Sequence, residues 1–184
     1  MTNSNQQAWY ILDQQDEVIY FERQRFRQIW VWVCILIGPV VVLWLLISEM
    51  FNILINGANP GNILIPLAIF QIIGVMFPLL FYITGLDTQV RKDGLYIRFK
   101  PIHLSWVIFR FADIKSAEAV TYSPLREYGG WGIRYGGKGK AYNVRGNKGV
   151  MVNLKKGNSV LIGSLSHKAL ADLINENLNK AQSL

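Results

Sequence analysis

The residue types with the clearest capacity for chemistry lie in a glycine-rich basic stretch, residues 128–149, with the sequence YGGWGIRYGGKGKAYNVRGNKG. Eight of its residues are glycine, five are Lys or Arg, and none is acidic. A phosphate-binding P-loop needs G-x-x-x-x-G-K followed by Ser or Thr, placed between a strand and a helix. Here GGKGK is followed by alanine, and the stretch leads into predicted strands. The glycines are therefore better explained by turns and bulges than by nucleotide binding.

The basic side chains of this stretch are our candidate contacts with a membrane surface. They are Lys138, Lys140, Arg145 and Lys148, and we predict that they face anionic lipid head groups. The alternative is an ordinary solvated face whose charge aids solubility. Nucleic acid is not a predicted partner, because the sequence contains no recognisable binding module and no aromatic stacking platform.

The sequence contains no recognisable catalytic or metal-binding motif. Its two histidines, His103 and His167, are far apart, and its single cysteine, Cys34, lies in an apolar run. It has no H-E-x-x-H, no cysteine pair and no G-x-S-x-G. We therefore predict no catalytic residue, no metal and no cofactor. A membrane-bound enzyme whose site joins His103, Arg110 and Asp113 is the least favoured alternative.

The composition indicates a membrane protein. Of the 184 residues, 51% are hydrophobic and only 17% are charged, compared with about 25% charged residues in ordinary soluble domains. No charge occurs in residues 28–48 or 50–86. We predict transmembrane helices at residues 29–47 and 63–86, joined by an extracytoplasmic loop at residues 48–62.

The segments on either side of this hairpin are predicted to be cytoplasmic. Lys or Arg residues lie just before the first span and just after the second, whereas the connecting loop has none. The positive-inside rule therefore places both termini in the cytoplasm. Residues 16–30 show apolar residues at near-helical spacing. The N-terminal segment, residues 1–28, is therefore predicted to contain a juxtamembrane helix, which extends the first membrane helix into the cytoplasm or lies in the interface.

Residues 87–184 are predicted to form a mainly-β cytoplasmic domain. Runs such as LYIRFK and GVMVNL alternate apolar and polar residues, as strands with one buried face do. A final helix from about Ser166 to Lys180 carries the apolar stripe of Leu170, Leu173, Ile174 and Leu178. About seven strands capped by this helix predict an antiparallel barrel of the pleckstrin-homology-like type.

Two sets of motifs carry a resemblance to known proteins. The sequences DTQVRKDGLYIRF, FRFADIKSAEA and SVLIGSLSHKALADLI resemble bacterial pleckstrin-homology-like domains. The sequences YFERQRFRQIWVW, YSPLREYGGWGIR and GKAYNVRGNKGV resemble an uncharacterised prokaryotic family with a two-helix hairpin before such a domain. The resemblance extends over residues 18–178. It implies this fold and a place in the cytoplasmic membrane, and it supplies no site residues.

The function predicted from these features is that of a non-enzymatic, membrane-tethered interaction module. Its partner would be another protein or the anionic membrane surface. An accessory subunit of a larger membrane complex, assembled through the helical hairpin, is the first alternative, and an enzyme is the second. The sequence leaves homo-oligomerisation undecided.

Overall fold

The computed structural model describes residues 17–57 and 64–182 of the chain, which form two compact units. The helical hairpin lies within residues 26–84. The other unit, the β domain, combines residues 17–25 with residues 85–182. The predicted domain of residues 87–184 is thus only part of the β domain, which also includes a segment from before the hairpin.

The helical hairpin contains two apolar helices, α1 (Ile29–Asn56) and α2 (Leu64–Ile83). Both are long and apolar enough to cross a membrane. The helices approach closely where Gly74 meets Pro39, because a β-carbon at position 74 would lie 3.1 Å from Pro39 Cγ. Small residues allow such contacts between apolar helices.

The first helix is longer than the predicted span of residues 29–47. It continues through part of the predicted loop to Asn56, since residues 48–56 contain neither proline nor glycine. Gly57 ends it in a left-handed conformation with φ 59°, as glycine commonly does at helix ends. The rest of the predicted loop, residues 58–62, lies outside the described residues.

The second helix is shorter than the predicted span of residues 63–86, because it ends at Ile83. Gly85 and Leu86 belong to the β domain, where the Leu86 side chain is fully buried. The apolar character of Leu86 therefore reflects a protein core and not a lipid environment.

Where the sequence predicts a juxtamembrane helix, the structure has strand β1 (Val18–Arg25). It pairs antiparallel with β2 (Gly85–Arg91), and Arg25 lies directly opposite Gly85. An alternating pattern over so few residues fits a helix as well as a strand. The pairing partner decides between them, and it lies beyond the whole helical hairpin in the chain.

β1 and β2 belong to a four-stranded antiparallel sheet. It continues with β3 (Gly94–Lys100) and β4 (Val107–Arg110), in the spatial order β1-β2-β3-β4. A 3-10 turn at Phe111–Asp113 then leads to the second sheet.

The second sheet contains five strands, with the short helix α3 (Pro124–Tyr128) after the first of them in the chain. The strands are β5 (Ile114–Thr121), β6 (Gly132–Gly136), β7 (Gly139–Asn143), β8 (Lys148–Leu154) and β9 (Val160–Gly163). Their spatial order is β5-β8-β9-β7-β6, and β7 and β9 are parallel.

The mainly-β domain with a C-terminal helix is confirmed, but its strands are not arranged as predicted. The described residues form nine strands in two sheets that do not close into one barrel, instead of about seven antiparallel strands. The last strand, β9, lies between β7 and β8 and is parallel to β7. Alternating patterns indicate which face of a strand is buried, but they do not identify its neighbours.

The C-terminal helix α4 (His167–Gln182) packs on β5, β8 and the 3-10 turn. In the predicted stripe, Leu170, Ile174 and Leu178 are buried and Leu173 is half-buried. Burying each of the first three side chains contributes about 1.5–3 kcal/mol to stability. The helix therefore closes the core, as the sequence predicts.

Side chains of β1 also fasten this strand to the second sheet. The amide of Gln24, which is fully buried, donates to the Gly163 carbonyl at 2.7 Å. The carboxylate of Glu22 accepts four hydrogen bonds at 2.6–2.9 Å, whose donors are Tyr20 Oη, Gln24 Nε2, Ser164 Oγ and the Leu165 amide. β1 is thus an integral part of the β domain.

This arrangement predicts that the β domain folds without the helices but not without β1. Replacing residues 26–84 by Asn-Gly should leave it folded, since Arg25 and Gly85 are cross-strand partners and Asn-Gly suits a two-residue hairpin turn. The matched control is residues 85–184 alone. Circular dichroism on heating should show cooperative unfolding of the linked chain and none in the control. The same transition in both chains would contradict the role of β1.

Candidate functional site: basic surfaces of the β domain

The glycine-rich stretch forms turns and tightly packed strands, in agreement with the sequence prediction. Gly129 ends α3 with φ 68°. Gly139 has φ 116°, and a β-carbon there would collide with the carbonyl oxygen of Ser159. From Gly130 onwards the stretch contains only strands and their connections. It therefore lacks the helix that a phosphate-binding loop precedes.

The four predicted membrane contacts lie at two different ends of the five-stranded sheet. Lys138 and Lys140 lie at the start of β7. Arg145 follows the end of β7, and Lys148 is the first residue of β8. A five-residue strand spans about 16 Å. These cations consequently form two separate pairs.

The first pair already interacts with the domain's own side chains. Lys138 Nζ lies 3.2 Å from Glu127 Oε2. The ammonium group of Lys140 lies over two aromatic rings, 4.8 Å from the centroid of Tyr142 and 5.4 Å from that of Tyr135. Burial by itself lowers the pKa of Lys140, but the two tyrosines outweigh it and raise the pKa. In the second pair, Arg145 is half-buried and Lys148 is exposed.

A further basic surface lies on the outward face of the four-stranded sheet, around Asp87. The side chain of Asp87 is only 1% exposed, and the charged groups of three cationic side chains lie close to its carboxylate. Arg23 Nε is 2.9 Å from Oδ1, whereas Lys100 Nζ and Arg98 Nη2 are 2.9 Å and 3.7 Å from Oδ2. We call these four residues the Asp87 cluster. Three positive charges against one negative charge leave it with a net charge of +2.

The environment of Asp87 keeps it ionised. Burial alone raises the pKa of its carboxyl group. The hydrogen bonds and positive charges of Lys100 and Arg23 have the opposite effect and outweigh burial, so the pKa lies below its ordinary value. The three cations are partly exposed, with side-chain exposures of 48% for Arg23, 26% for Arg98 and 31% for Lys100. The cluster therefore presents positive charge to its surroundings.

Aromatic rings extend this basic surface along the sheet. The guanidinium of Arg98 lies 4.5 Å from the ring centroid of Trp106. Arg91 lies 4.4 Å from the Tyr96 centroid and 5.8 Å from the Trp106 centroid. The Tyr96 hydroxyl donates to Asp93 at 2.7 Å, and burial followed by this hydrogen bond raises the pKa of Tyr96. Arg91 also donates from Nε and Nη2 to Gln89 Oε1, at 3.1 Å and 2.9 Å. The aromatic rings and this side chain together hold its guanidinium in place.

The residues of the hypothetical enzyme site have different partners. The His103 ring packs edge-on against Tyr142, with centroids 5.6 Å apart. Burial, followed by the charge of Lys140, lowers the pKa of His103. Arg110 instead pairs with Asp93 at 3.3 Å, and the Asp113 carbonyl accepts the Lys155 amide. Residues 17–57 and 64–182 contain no group of three or more His, Cys, Asp and Glu that could hold a metal ion.

Sequence reasoning missed the Asp87 cluster, because it counted charges along single segments. The alternation in LYIRFK does indicate that Arg98 and Lys100 share the outward face of one strand. Asp87 and Arg23 complete the cluster from two neighbouring strands. The contribution of Arg23 depends on the β1–β2 pairing, for which the sequence has no local signal.

The depressed pKa of Asp87 predicts an acid-dependent stability of the β domain. A carboxyl group whose pKa falls on folding stabilises the protein above its unfolded pKa of about 4, and this stability is lost as the pH falls through the folded value. Asp87→Asn should therefore lower the free energy of unfolding at neutral pH by about 1.5–3 kcal/mol and reduce its acid dependence. Amide hydrogen exchange in β2 and β3 measures both effects.

The exposed Asp172 provides the matched control. Asp172→Asn should change the stability by less than about 0.5 kcal/mol. If Asp87→Asn exchanged as slowly as Asp172→Asn at neutral pH, the ion pairs of the cluster would contribute nothing to stability.

Comparisons with curated proteins and with solved structures found no match. A family model described as a family of unknown function, DUF6141, matches residues 13–180. This match covers most of the chain, including both apolar helices and nearly all of the β domain. It agrees with the resemblance to an uncharacterised family over residues 18–178. The chain therefore belongs to the DUF6141 family of unknown function.

Proposed function

We propose that this chain is a two-pass membrane protein whose β domain is a non-enzymatic interaction module for the anionic surface of the same membrane. The observation that carries the proposal is the cross-strand row of Arg25, Gly85 and Lys100, where β1 ends, β2 begins and β3 ends. We call this row the Arg25 edge. The chain runs from it into α1 and returns to it from α2, and positive charge gathers beside it.

Chain length supports the proposal. Residues 26–28 connect Arg25 to α1, and Thr84 alone connects α2 to β2. Three residues span at most about 11 Å when fully extended. If both helices cross a bilayer, its surface is therefore within reach of the Arg25 edge. In contrast, Lys92 follows the far end of β2, and a seven-residue strand spans about 23 Å.

Electrostatics favours an anionic surface as the binding partner. A basic residue near an anionic leaflet contributes about 1 kcal/mol. The Asp87 cluster, with its net charge of +2, borders the Arg25 edge. Such a contact is weak for a free domain, but the two helices would hold the domain at high local concentration. The contact should weaken with salt, because exposed charges are screened.

The proposed location is the cytoplasmic face of the cytoplasmic membrane. Arg23, Arg25 and Arg27 precede α1, and Arg91 and Lys92 follow α2, whereas residues 48–63 contain no Lys or Arg. This asymmetry favours a cytoplasmic β domain. A distant pleckstrin-homology-like relationship is part of the proposal, supported by a C-terminal helix packed on a mainly-β domain. The parallel contact between β7 and β9 departs from that fold.

A protein partner is the second candidate, favoured by the half-buried Trp106 and the two arginines that lie against it. Trp, Tyr and Arg are the residue types that contribute most to protein interfaces. Here Tyr96 and Trp106 lie against Arg91 and Arg98. An accessory subunit of a membrane complex would use this face together with the apolar helices.

Labelling of introduced cysteines with a membrane-impermeant reagent in intact cells tests the topology. In a Cys34→Ala background, a cysteine at Asn59 should react from outside. Cysteines at Ser4 and Ser183 should react only after the membrane is opened. If both terminal sites reacted in intact cells and position 59 were protected, the orientation would be the opposite of the one proposed.

Binding to vesicles tests the basic surface and distinguishes its parts. The Asn-Gly-linked chain, once shown to unfold cooperatively, should cosediment with anionic vesicles more than with neutral ones, and less at high salt. Neutralising the Arg25 edge should weaken this binding more than neutralising either predicted pair. The three double variants are Arg25→Gln/Lys100→Gln, Lys138→Gln/Lys140→Gln and Arg145→Gln/Lys148→Gln. Binding that ignores lipid charge and salt would contradict the proposal.

A further inference from the structure

We propose that the β3–β4 loop, residues 101–106, inserts apolar side chains into the head-group region of the anionic membrane surface. This inference rests on the proposed function, because it names the part of the β domain that enters the bilayer. It concerns Ile102 and Leu104, to which neither the sequence motifs nor the family match assigns a role.

The two side chains are presented to the surroundings. Leu104 is 93% exposed, more than any other large apolar side chain among the described residues, and Ile102 is 64% exposed. A single exposed leucine needs no explanation, because much of any protein surface is apolar. Two such residues, separated by one position in a short loop, form a local apolar tip.

The intervening residue, His103, holds the loop in place. Its backbone amide donates to the Phe99 carbonyl at 2.8 Å, and its Nδ1 accepts the Phe99 amide at 3.4 Å. Its ring packs against Tyr142 of the second sheet. His103 therefore points into the domain, whereas Ile102 and Leu104 on either side are left outside. Preorganisation of this kind lowers the entropy lost on binding.

The place of the loop in the fold identifies the membrane as its partner. The loop follows Lys100 and therefore begins at the Arg25 edge, from which the chain continues into both apolar helices. The Asp87 cluster supplies positive charge beside it. Apolar side chains flanked by basic ones are typical of protein segments that lie in the interface of anionic membranes. If both helices cross a bilayer, the short connections at the Arg25 edge keep its surface within reach of the start of the loop.

A fluorophore attached to the loop in the full chain tests the inference. Ser105 is exposed, so Ser105→Cys in a Cys34→Ala background can carry an environment-sensitive nitrobenzoxadiazole group. The labelled chain is reconstituted into vesicles of phosphatidylcholine with phosphatidylglycerol. We expect a blue-shifted emission that spin-labelled lipid quenches and aqueous iodide does not. The same label at Lys92, beyond the opposite end of β2 and β3, should show the reverse quenching pattern.

Two variants separate apolar insertion from simple proximity to the bilayer. The double variant Ile102→Ser/Leu104→Ser removes both apolar anchors. In this chain the ratio of membrane-inserted to water-exposed label at Ser105 should fall at least about tenfold. The matched control is Leu125→Ser, which replaces a leucine that is 66% exposed on α3. It should leave the ratio unchanged. Ile102, Leu104 and Leu125 are all exposed, so neither variant should change the fold.

A label on the native Cys34 keeps the two proposals distinguishable. Cys34 lies in α1, and quenching of its label by lipid reports membrane insertion of that helix. Lipid quenching at Cys34, together with iodide quenching at Ser105 equal to that at Lys92, would overturn loop insertion and leave the two-pass proposal intact. Absence of lipid quenching at Cys34 would overturn both. An unchanged ratio in the Ile102→Ser/Leu104→Ser chain would also overturn apolar insertion.

Discussion

The pairing of β1 with β2 is the constraint on which the rest of this structure depends. Arg25 and Gly85 are direct cross-strand partners, although the entire helical hairpin lies between them in the chain. The hairpin is therefore an insertion into the turn of a β-hairpin and not an N-terminal anchor with a separate domain behind it. Gly85 permits this pairing, because a β-carbon there would collide with the Gln24 carbonyl oxygen. Two short connections, in place of one, then join the β domain to the hairpin.

This constraint helps to explain why positive charge of the β domain is concentrated around Asp87. Asp87 lies between strands that carry Arg23 on one side and Arg98 on the other. The buried carboxylate brings the cations together, and yet it neutralises only one of three positive charges. The surplus, beside an edge from which two apolar helices continue, is the physical basis for proposing an anionic membrane surface as the partner.

The sequence predicts the features of this protein that depend on local composition. The uncharged runs predict the two apolar helices, and the alternating patterns predict most of the strands. The spacing of Leu170, Ile174 and Leu178 predicts the C-terminal helix. Errors arose where a distant partner decides the outcome. Leu86 is apolar enough for a membrane span but lies in the core, and β1 has a pattern that fits either secondary structure. The place of Arg23 in the Asp87 cluster was missed for the same reason. The four charges predicted as membrane contacts proved to form two separate pairs.

A disulfide across the β1–β2 pair tests the central claim most directly. Phe21 lies opposite Gln89 with its side chain exposed, so cysteines at these positions avoid the core. In a Cys34→Ala background in native membranes, mild oxidation should cross-link Phe21→Cys to Gln89→Cys within one chain. It should not cross-link Phe21→Cys to Val90→Cys, because position 90 is fully buried on the opposite face of the sheet. Equal yields for both pairs, or none for either, would contradict the pairing of β1 with β2.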